Sequence, residues 1–406
     1  MTLSARPRLV PALVAPIAFL APLAACAPDP SPSTHTLPHI ADSAGVRIVT
    51  YDNTPTAPAP FQLAVEPRYR HGADPGDYSF QDASVGRLLP DGTAVVYDQW
   101  NVELVVFSPD GTTHHVLAAE GEGPGEVTYV DAIFVLAQDS ILVADPNLAR
   151  ATFFVRDSVA RITALPRSPS LDVKGLGSPG ELLMATSYAS FSDEEAWRPG
   201  HIARFDMETG ALDTVASHDF MPRIPPGLEW EPIPALGEVT VAGRYIVQTR
   251  SDRPEVIWRL PDGTTTQIVR WQAVPALLTE EWMQPIEAQH RLEVRKHNPN
   301  LPEARITTSA RRIMTMYRAS IGRPMPLFAD PFTDVEGRVW LPSYKPDGER
   351  HSVPPYAVIA PYGEWLGTVE TPPRFRILDV AGGLVLGMQV DEMDVESVAV
   401  YELVER

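Results

Sequence analysis

Short runs of β-branched and aliphatic residues recur along this chain, each opened by a turn-forming stretch. They are "TAVVYD" (Thr93–Asp98), "SILVAD" (Ser140–Asp145), "ELLMATS" (Glu181–Ser187), "RYIVQTR" (Arg244–Arg250), "RVWLPSY" (Arg338–Tyr344) and "LVLGMQV" (Leu384–Val390). A second alternating run follows each one, as in "ELVVFSPDG" and "EVIWRLPDG". Alternation of apolar and polar residues over four to eight positions predicts strands with one buried face. Pro-Asp-Gly ends at Gly92, Gly111, Gly263 and Gly348. Proline sets φ, aspartate caps the turn and glycine accepts positive φ, so each triplet predicts a tight reversal between strands. Several copies lie about 40–50 residues apart, the period of four-stranded propeller blades. Six copies predict an all-β, six-bladed β-propeller. Two spacings are wider, one for the proline-rich loop Asp219–Pro234 and one for residues 273–326, between blades four and five. Nothing follows "SVAVYELVE" to complete blade six. "GVRIVTYD" (Gly45–Asp52) is expected to supply the missing strand and leave no open edge.

The segment 273–326 changes period. "LLTEEWMQPIEAQHRLEVRKHN" (Leu277–Asn298) has Thr279 as a helix N-cap and acids in the first turn, and "ARITTSARRIMTMYRAS" (Ala304–Ser320) spaces its apolar residues helically. "NPNLPE" separates them, which predicts a helical hairpin. From Arg291 to Arg323 the hairpin carries eight basic residues and two acidic ones. Arg291, Arg295, Arg311, Arg312 and Arg318 are a candidate surface for an anion or an acidic partner. The competing expectation is that these arginines pair with the propeller's own acids while the hairpin covers one end of the ring.

The N-terminus bears on compartment. Arg6 and Arg8 precede an uncharged stretch, Leu9–Ala25, that is short for a span of ~20 apolar residues. Residues 1–25 read as a secretory leader. Leu23-Ala24-Ala25-Cys26 resembles the lipobox of bacterial lipoproteins, which implies acylation of Cys26 and attachment to a membrane. Ala27 in place of aspartate points to the outer membrane, facing the periplasm or the exterior. Residues 26–44, rich in proline and polar side chains, read as a tether, and 45–406 as the propeller. Cys26 is the only cysteine, so no intramolecular disulfide is possible and the core must carry stability. The formal charge of −19 becomes −21 once Arg6 and Arg8 leave with the leader, and so acidic a surface disfavours nucleic acid as a partner.

The stretches "DSAGVRIVTYD", "LLPDGTAVVYD", "VELVVFSPDG", "GEGPGEV", "FTDVEGRVWLPSY" and "DVESVAVYEL" together resemble the six-bladed propeller lipoproteins of environmental bacteria. NHL-repeat and lactonase-like propellers are similar in shape. The resemblance runs from about Gly45 to Leu403 and implies the fold. No catalytic motif of the lactonase-like group is matched, so it implies no catalytic residue.

Function in a propeller is expected where inner strands meet the central channel. Reading those strands in turn gives Asp82, Asp131, Asp172, Glu238, Asp330 and Asp379. A ring of carboxylates could hold Ca²⁺, which takes six to eight oxygen ligands. The alternative is that they are solvated turn residues or strand-end caps, since they do not share one register. HExxH, GxSxG and a Cys/His pair are all missing. The loop "AEGEGPGEV" (Ala119–Val127) lacks a following helix or Gly-Lys-Ser/Thr, and its glutamates would repel phosphate, so it is expected only to turn a corner. These features predict a membrane-tethered propeller that binds a ligand or an envelope protein. The alternative is a metal-dependent, lactonase-like hydrolase or lyase acting at the channel.

Overall fold

A computed structural model describes residues 37–72, 76–137, 139–167, 171–186, 196–224, 230–346 and 355–406. The leader 1–25, Cys26, the tether as far as residue 36 and the Pro-Asp-Gly triplet at Gly348 lie outside the described residues. The described body runs from residue 37 to Arg406.

Four strands precede the first blade: β1 (His39–Ser43), β2 (Val46–Tyr51), β3 (Phe61–Leu63) and β4 (Tyr69–His71). Blade one is β5 (Ala83–Leu88), β6 (Ala94–Asp98), β7 (Glu103–Phe107) and β8 (His114–Ala118). Blade two is β9 (Ala132–Ala137), β10 (Ser140–Asp145), β11 (Arg150–Val155) and β12 (Ser158–Ala164). Blade three is β13 (Leu171–Leu176), β14 (Glu181–Thr186), β15 (Trp197–Asp206) and β16 (Leu212–Pro222). Blade four is β17 (Gly237–Ala242), β18 (Tyr245–Arg250), β19 (Glu255–Arg259) and β20 (Thr265–Trp271). Helices α1 (Met283–His297) and α2 (Glu303–Ala319) follow. Blade five is β21 (Phe332–Thr333), β22 (Val339–Pro342), β23 (Tyr356–Ile359) and β24 (Trp365–Val369). Blade six contributes β25 (Phe375–Ala381), β26 (Leu384–Val390) and β27 (Glu396–Glu405).

Burial follows position in the blade. Second strands sit between neighbouring blades and are covered on both faces, so β6 ("AVVYD") is buried throughout. Inner strands alternate: Leu171, Val173 and Gly175 of β13 are buried while Asp172, Lys174 and Leu176 are half-buried. Outer strands such as β12 are almost wholly exposed. Six clusters of buried side chains fill the gaps between successive blades, and a seventh lies under the hairpin. The three described Pro-Asp-Gly triplets share one geometry. Gly92, Gly111 and Gly263 adopt φ of +90°, +69° and +85° and return a hydrogen bond to the residue three before. The aspartate of each accepts the amide two residues on (Thr93, Thr112 and Thr264).

The ring is closed by the N-terminal part of the chain, but not by the strand expected. β2 runs parallel to β20 and extends blade four (Ile48 opposite Ile268). Blade six is completed by β3 and β4 on β27, with Leu63 opposite Leu403 and Tyr69 opposite Val400. β2 is drawn to blade four because Val49 and Tyr51 enter the cluster between blades four and five. There the Tyr51 hydroxyl donates to the Gly363 carbonyl and accepts from the Trp365 amide. The folded body also starts earlier than Gly45. Residues 39–43, read as tether, form β1 and pair with β2 across a two-residue turn, where Ala44 and Gly45 adopt φ of +54° and +83°.

The glycine loop turns a corner. The Glu126 carboxylate folds back onto the Gly123 amide at 2.6 Å, filling the place an anion would take. The Arg150 guanidinium gathers the carbonyls of Glu122, Gly123 and Glu126.

Candidate functional site at the channel mouth

Inner strands all begin on one face of the ring, and the insert enters on that face, between β20 and β21. Thr279 has extended backbone angles (φ −120°, ψ 168°) but makes no side-chain cap, and a 3₁₀ turn (Glu280–Trp282) leads into α1. Met283, Ile286 and Met314 pack with Ile233, Leu278 and Met325 beneath the hairpin. Near the start of α1, Lys345 of blade five lies 5.8 Å from the Trp282 ring. After α2, Arg323 meets Glu231 at 2.7 Å. At the other end of α1, Lys296 meets Glu396 of blade six at 2.6 Å, and His297 packs edge-on to Trp100 of blade one at 5.4 Å. The hairpin therefore reaches across the carboxylate-bearing face from blades four and five to blades six and one.

Three of the five arginines pair with acids of the insert rather than of the propeller. Arg291 pairs with Glu287 (2.9 Å) and Glu303 (3.1 Å), Arg295 with Glu303 (3.0 Å) and Arg318 with Glu280 (3.8 Å). All three acids belong to the insert itself. Lys296 and Arg323 are the residues that reach acids outside it. Arg311 and Arg312 are exposed. Such exposed pairs contribute about 0–1 kcal/mol each, so their effect is mainly to hold the two helices in register.

Five of the six sequence-predicted carboxylates stand at or near the start of an inner strand: Asp82 before β5, Asp131 before β9, Asp172 and Glu238 second in β13 and β17, and Asp330 before β21. Asp330 adopts φ +42°, a left-handed conformation that aspartate tolerates better than most residues. Asp379 does not join them. It is fifth in β25, buried at the opposite end of the channel, where it accepts the amide of Leu88, the last residue of β5, at 2.8 Å. The residue of blade six at the shared register is Arg376, second in β25.

Lys174 stands among the acids, 3.1 Å from Asp172. Burial pushes the Asp131 carboxyl up to about 6, helped by the charge of Asp172 and opposed by Lys174 and the Val173 amide. Glu238 is pushed up to about 7, again mainly by burial, with Lys174 opposing and Asp330 and Asp172 adding. Burial works against the Lys174 ammonium, but the fields of Asp172, Asp131 and Glu238 outweigh it and raise its pKa. Across the channel stand two guanidiniums that face backbone carbonyls. Arg376 donates to the Ala83 carbonyl at 2.9 Å, and Arg87 to those of Gly86 (2.7 Å) and Leu378 (3.3 Å).

Among the described residues no three His, Cys, Asp or Glu side chains converge as metal ligands. Lys174 brings a positive charge among these acids. Asp131 also has a structural task, since it accepts the Val173 amide of the next blade at 3.0 Å. Sequence reasoning missed Lys174, Arg87 and Arg376 as channel residues. Lys174 was reachable, because a residue two positions after Asp172 on a strand shares its face.

The two raised carboxyls have a measurable consequence. Folded Asp131 and Glu238 hold protons more tightly than their unfolded counterparts between roughly pH 4 and pH 7, so the folded state binds more protons there. Stability is thus highest in acid within this window and falls as pH rises through 6 and 7. Urea melts should show the unfolding free energy dropping by about 1–3 kcal/mol between pH 5 and pH 8 relative to an Asp131→Asn, Glu238→Gln double variant. Equal slopes for the two proteins would mean that these groups titrate normally.

The ring is a six-bladed β-propeller with a helical hairpin across one face. No family model and no curated relative matches the chain. Among solved structures, a Bacteroides fragilis chain described as a candidate exported protein is similar at 11% identity, covering 88% of this chain and 100% of its own, with a TM-score of 0.51. A DUF4221 family member from Bacteroides vulgatus matches at 10% identity over 85% and 99% of the two chains, with a TM-score of 0.48. The calcium-binding protein regucalcin from Agrobacterium tumefaciens matches at 11% identity over 81% and 93%, with a TM-score of 0.41. At such identities the likeness is one of fold and carries no site residue across.

Proposed function

We propose that this protein is a ligand-binding module of the bacterial cell envelope, held to a membrane by lipid on Cys26, with its ligand site at the channel mouth under the helical hairpin. One observation carries the reading of the site: the mouth is lined by half-buried charges of both signs, several of which have no direct ion-pair partner. The carboxylates of Asp131 and Glu238 form no ion pair among the described residues, and neither do the guanidiniums of Arg87 and Arg376. Charges taken out of water are costly unless something compensates them, and a bound polar solute would do so. A rigid ring presenting such a mouth suits binding, with specificity set by the loops around it. The anchor rests on the leader and on "LAAC", and wild-type protein is expected in the detergent phase while Cys26→Ser moves to the aqueous phase.

Binding is tested by melting the protein in an aqueous small-molecule extract of bacterial cells. A ligand at a hundred times its Kd contributes about 2.7 kcal/mol, a rise of about 2–4 °C in Tm for a chain of this size. The rise should vanish in the Asp330→Asn and Arg376→Gln variants. No rise with the wild-type protein, or an equal rise with both variants, sinks the site. Repeating the melt with EDTA and then Ca²⁺ separates a cation from an organic solute.

A further inference from the structure

We infer that the solute held at the channel mouth is a zwitterion, a free amino acid or very short peptide, whose ammonium group faces Asp330, with Asp131 on the far side of the cavity, and whose carboxylate faces Arg87 and Arg376. This rests on the reading of the mouth as a ligand site and goes on to name what fills it. The four side chains line a single cavity of about 260 Å³. At ~30 Å³ per water that is room for about nine waters, or one solute of similar bulk.

Both signs of charge meet in this cavity. The acids of blades two and five, Asp131 and Asp330, flank it from opposite sides, and the guanidiniums of blades one and six lie between them. Arg376 and Arg87 spend some of their N–H groups on the carbonyls of Ala83, Gly86 and Leu378, and neither has a carboxylate partner among the described residues. A guanidinium presents five N–H donors in a planar fork suited to a carboxylate, so donors remain for a ligand. Asp330 has no hydrogen bond or ion pair among the described residues, and Asp131 uses one oxygen on the Val173 amide. The Ser84 hydroxyl, also lining the cavity, is buried without a hydrogen-bond partner among the described residues. A purely cationic solute would leave the arginines unanswered, and a purely anionic one would meet the acids. A molecule with one charge of each sign answers both kinds of charge. Apolar surface from Phe332, Ile377 and Leu378 is left for a side chain.

Calorimetry on the folded protein tests this with alanine, glutamine and alanyl-alanine as probes. Alanine methyl ester lacks the carboxylate charge, and N-acetylalanine lacks the ammonium. At least one zwitterion should bind about tenfold to a hundredfold more tightly than its ester or its N-acetyl form, the range expected for losing one charged hydrogen-bonded group. Arg376→Gln should abolish the preference for acid over ester while keeping the preference for free amine over N-acetyl. Asp330→Asn should do the reverse. A second arginine variant, Arg87→Gln, guards against a folding defect from loss of the Arg376 bond to Ala83. No binding of any zwitterion, or equal binding of the masked forms, overturns the inference. If cell extract still raises Tm in that case, the channel remains a ligand site for another class of solute.

Discussion

A chain shortened to begin at Asp77, and so lacking β1 to β4, is expected not to fold into a stable monomer. The N-terminal segment is small, but it finishes three of the molecule's interfaces. β3 and β4 cover the open edge of the ten-residue strand β27. Tyr69 enters the cluster between blades six and one, Ala59 and Leu63 that between blades five and six, and Val49 and Tyr51 that between blades four and five. Burying a large apolar side chain is worth about 1.5–3 kcal/mol, so these side chains together contribute on the order of 5–12 kcal/mol. That is comparable with the entire net stability of a typical domain, about 5–15 kcal/mol. The exposed edge of β27 would also be a template for pairing with other copies. Far-UV circular dichroism and gel filtration should show loss of the cooperative melt together with aggregation. A synthetic peptide covering residues 57–72 should restore part of the melt when added in trans. A shortened chain melting within a few degrees of the full one would mean that closure contributes little. The fit around Tyr69 gives a finer handle. A β-carbon on Gly111, itself at φ +69°, would fall 2.3 Å from the Tyr69 ring, so Gly111→Ala should weaken the same junction.

Replacing Asp98 by alanine is expected to cost about 2–4 kcal/mol, because it strips several part-buried donors of their acceptor at once. Asp98 is the last residue of β6 and is fully buried. Its carboxylate accepts the amides of Gln81 (2.9 Å), Asp82 (3.1 Å), Trp100 (3.2 Å) and Asn101 (3.3 Å), and the Asn101 side chain at 3.0 Å. Two of those amides belong to the loop that leads into β5 at the channel mouth, so one side chain ties the second strand to the start of the inner strand. Asp145 repeats the device in blade two, accepting the amides of Thr128 (2.7 Å), Tyr129 (3.1 Å) and Leu148 (2.9 Å). In blade four a serine takes over, with Ser251 Oγ accepting the Leu236 amide at 2.9 Å. Asp98→Asn keeps one carbonyl oxygen and should lose about half as much as alanine. Urea denaturation measures both, and a loss below about 1 kcal/mol for Asp98→Ala would show that water replaces the carboxylate freely. The aspartates at the ends of "TAVVYD" and "SILVAD" are thus structural pins.

Strand identity and turn position were determined by local sequence. Alternation such as "LDVKGL" buries one face and frees the other whatever the partner strand, and Pro-Asp-Gly forms its turn from its own backbone preferences and its own aspartate. The helical hairpin was legible for the same reason, through its change of period and the break at "NPNLPE". Pairing was a different matter. A free strand edge offers the same amides and carbonyls to any neighbour, so nothing local told "GVRIVTYD" to join blade four. β3 and β4, at three residues each, are too short to carry a pattern. The height of each channel residue was equally hidden. Depth is set by where each inner strand begins, and those starts follow loops of unequal length that carry no periodic signal. Asp379, fifth in β25, therefore lies at the far end of the channel, and Arg376, second, stands at the mouth. The carboxylates could be named from the sequence alone. The arginines that share the cavity with them became visible only once six strands from distant parts of the chain had met around one axis.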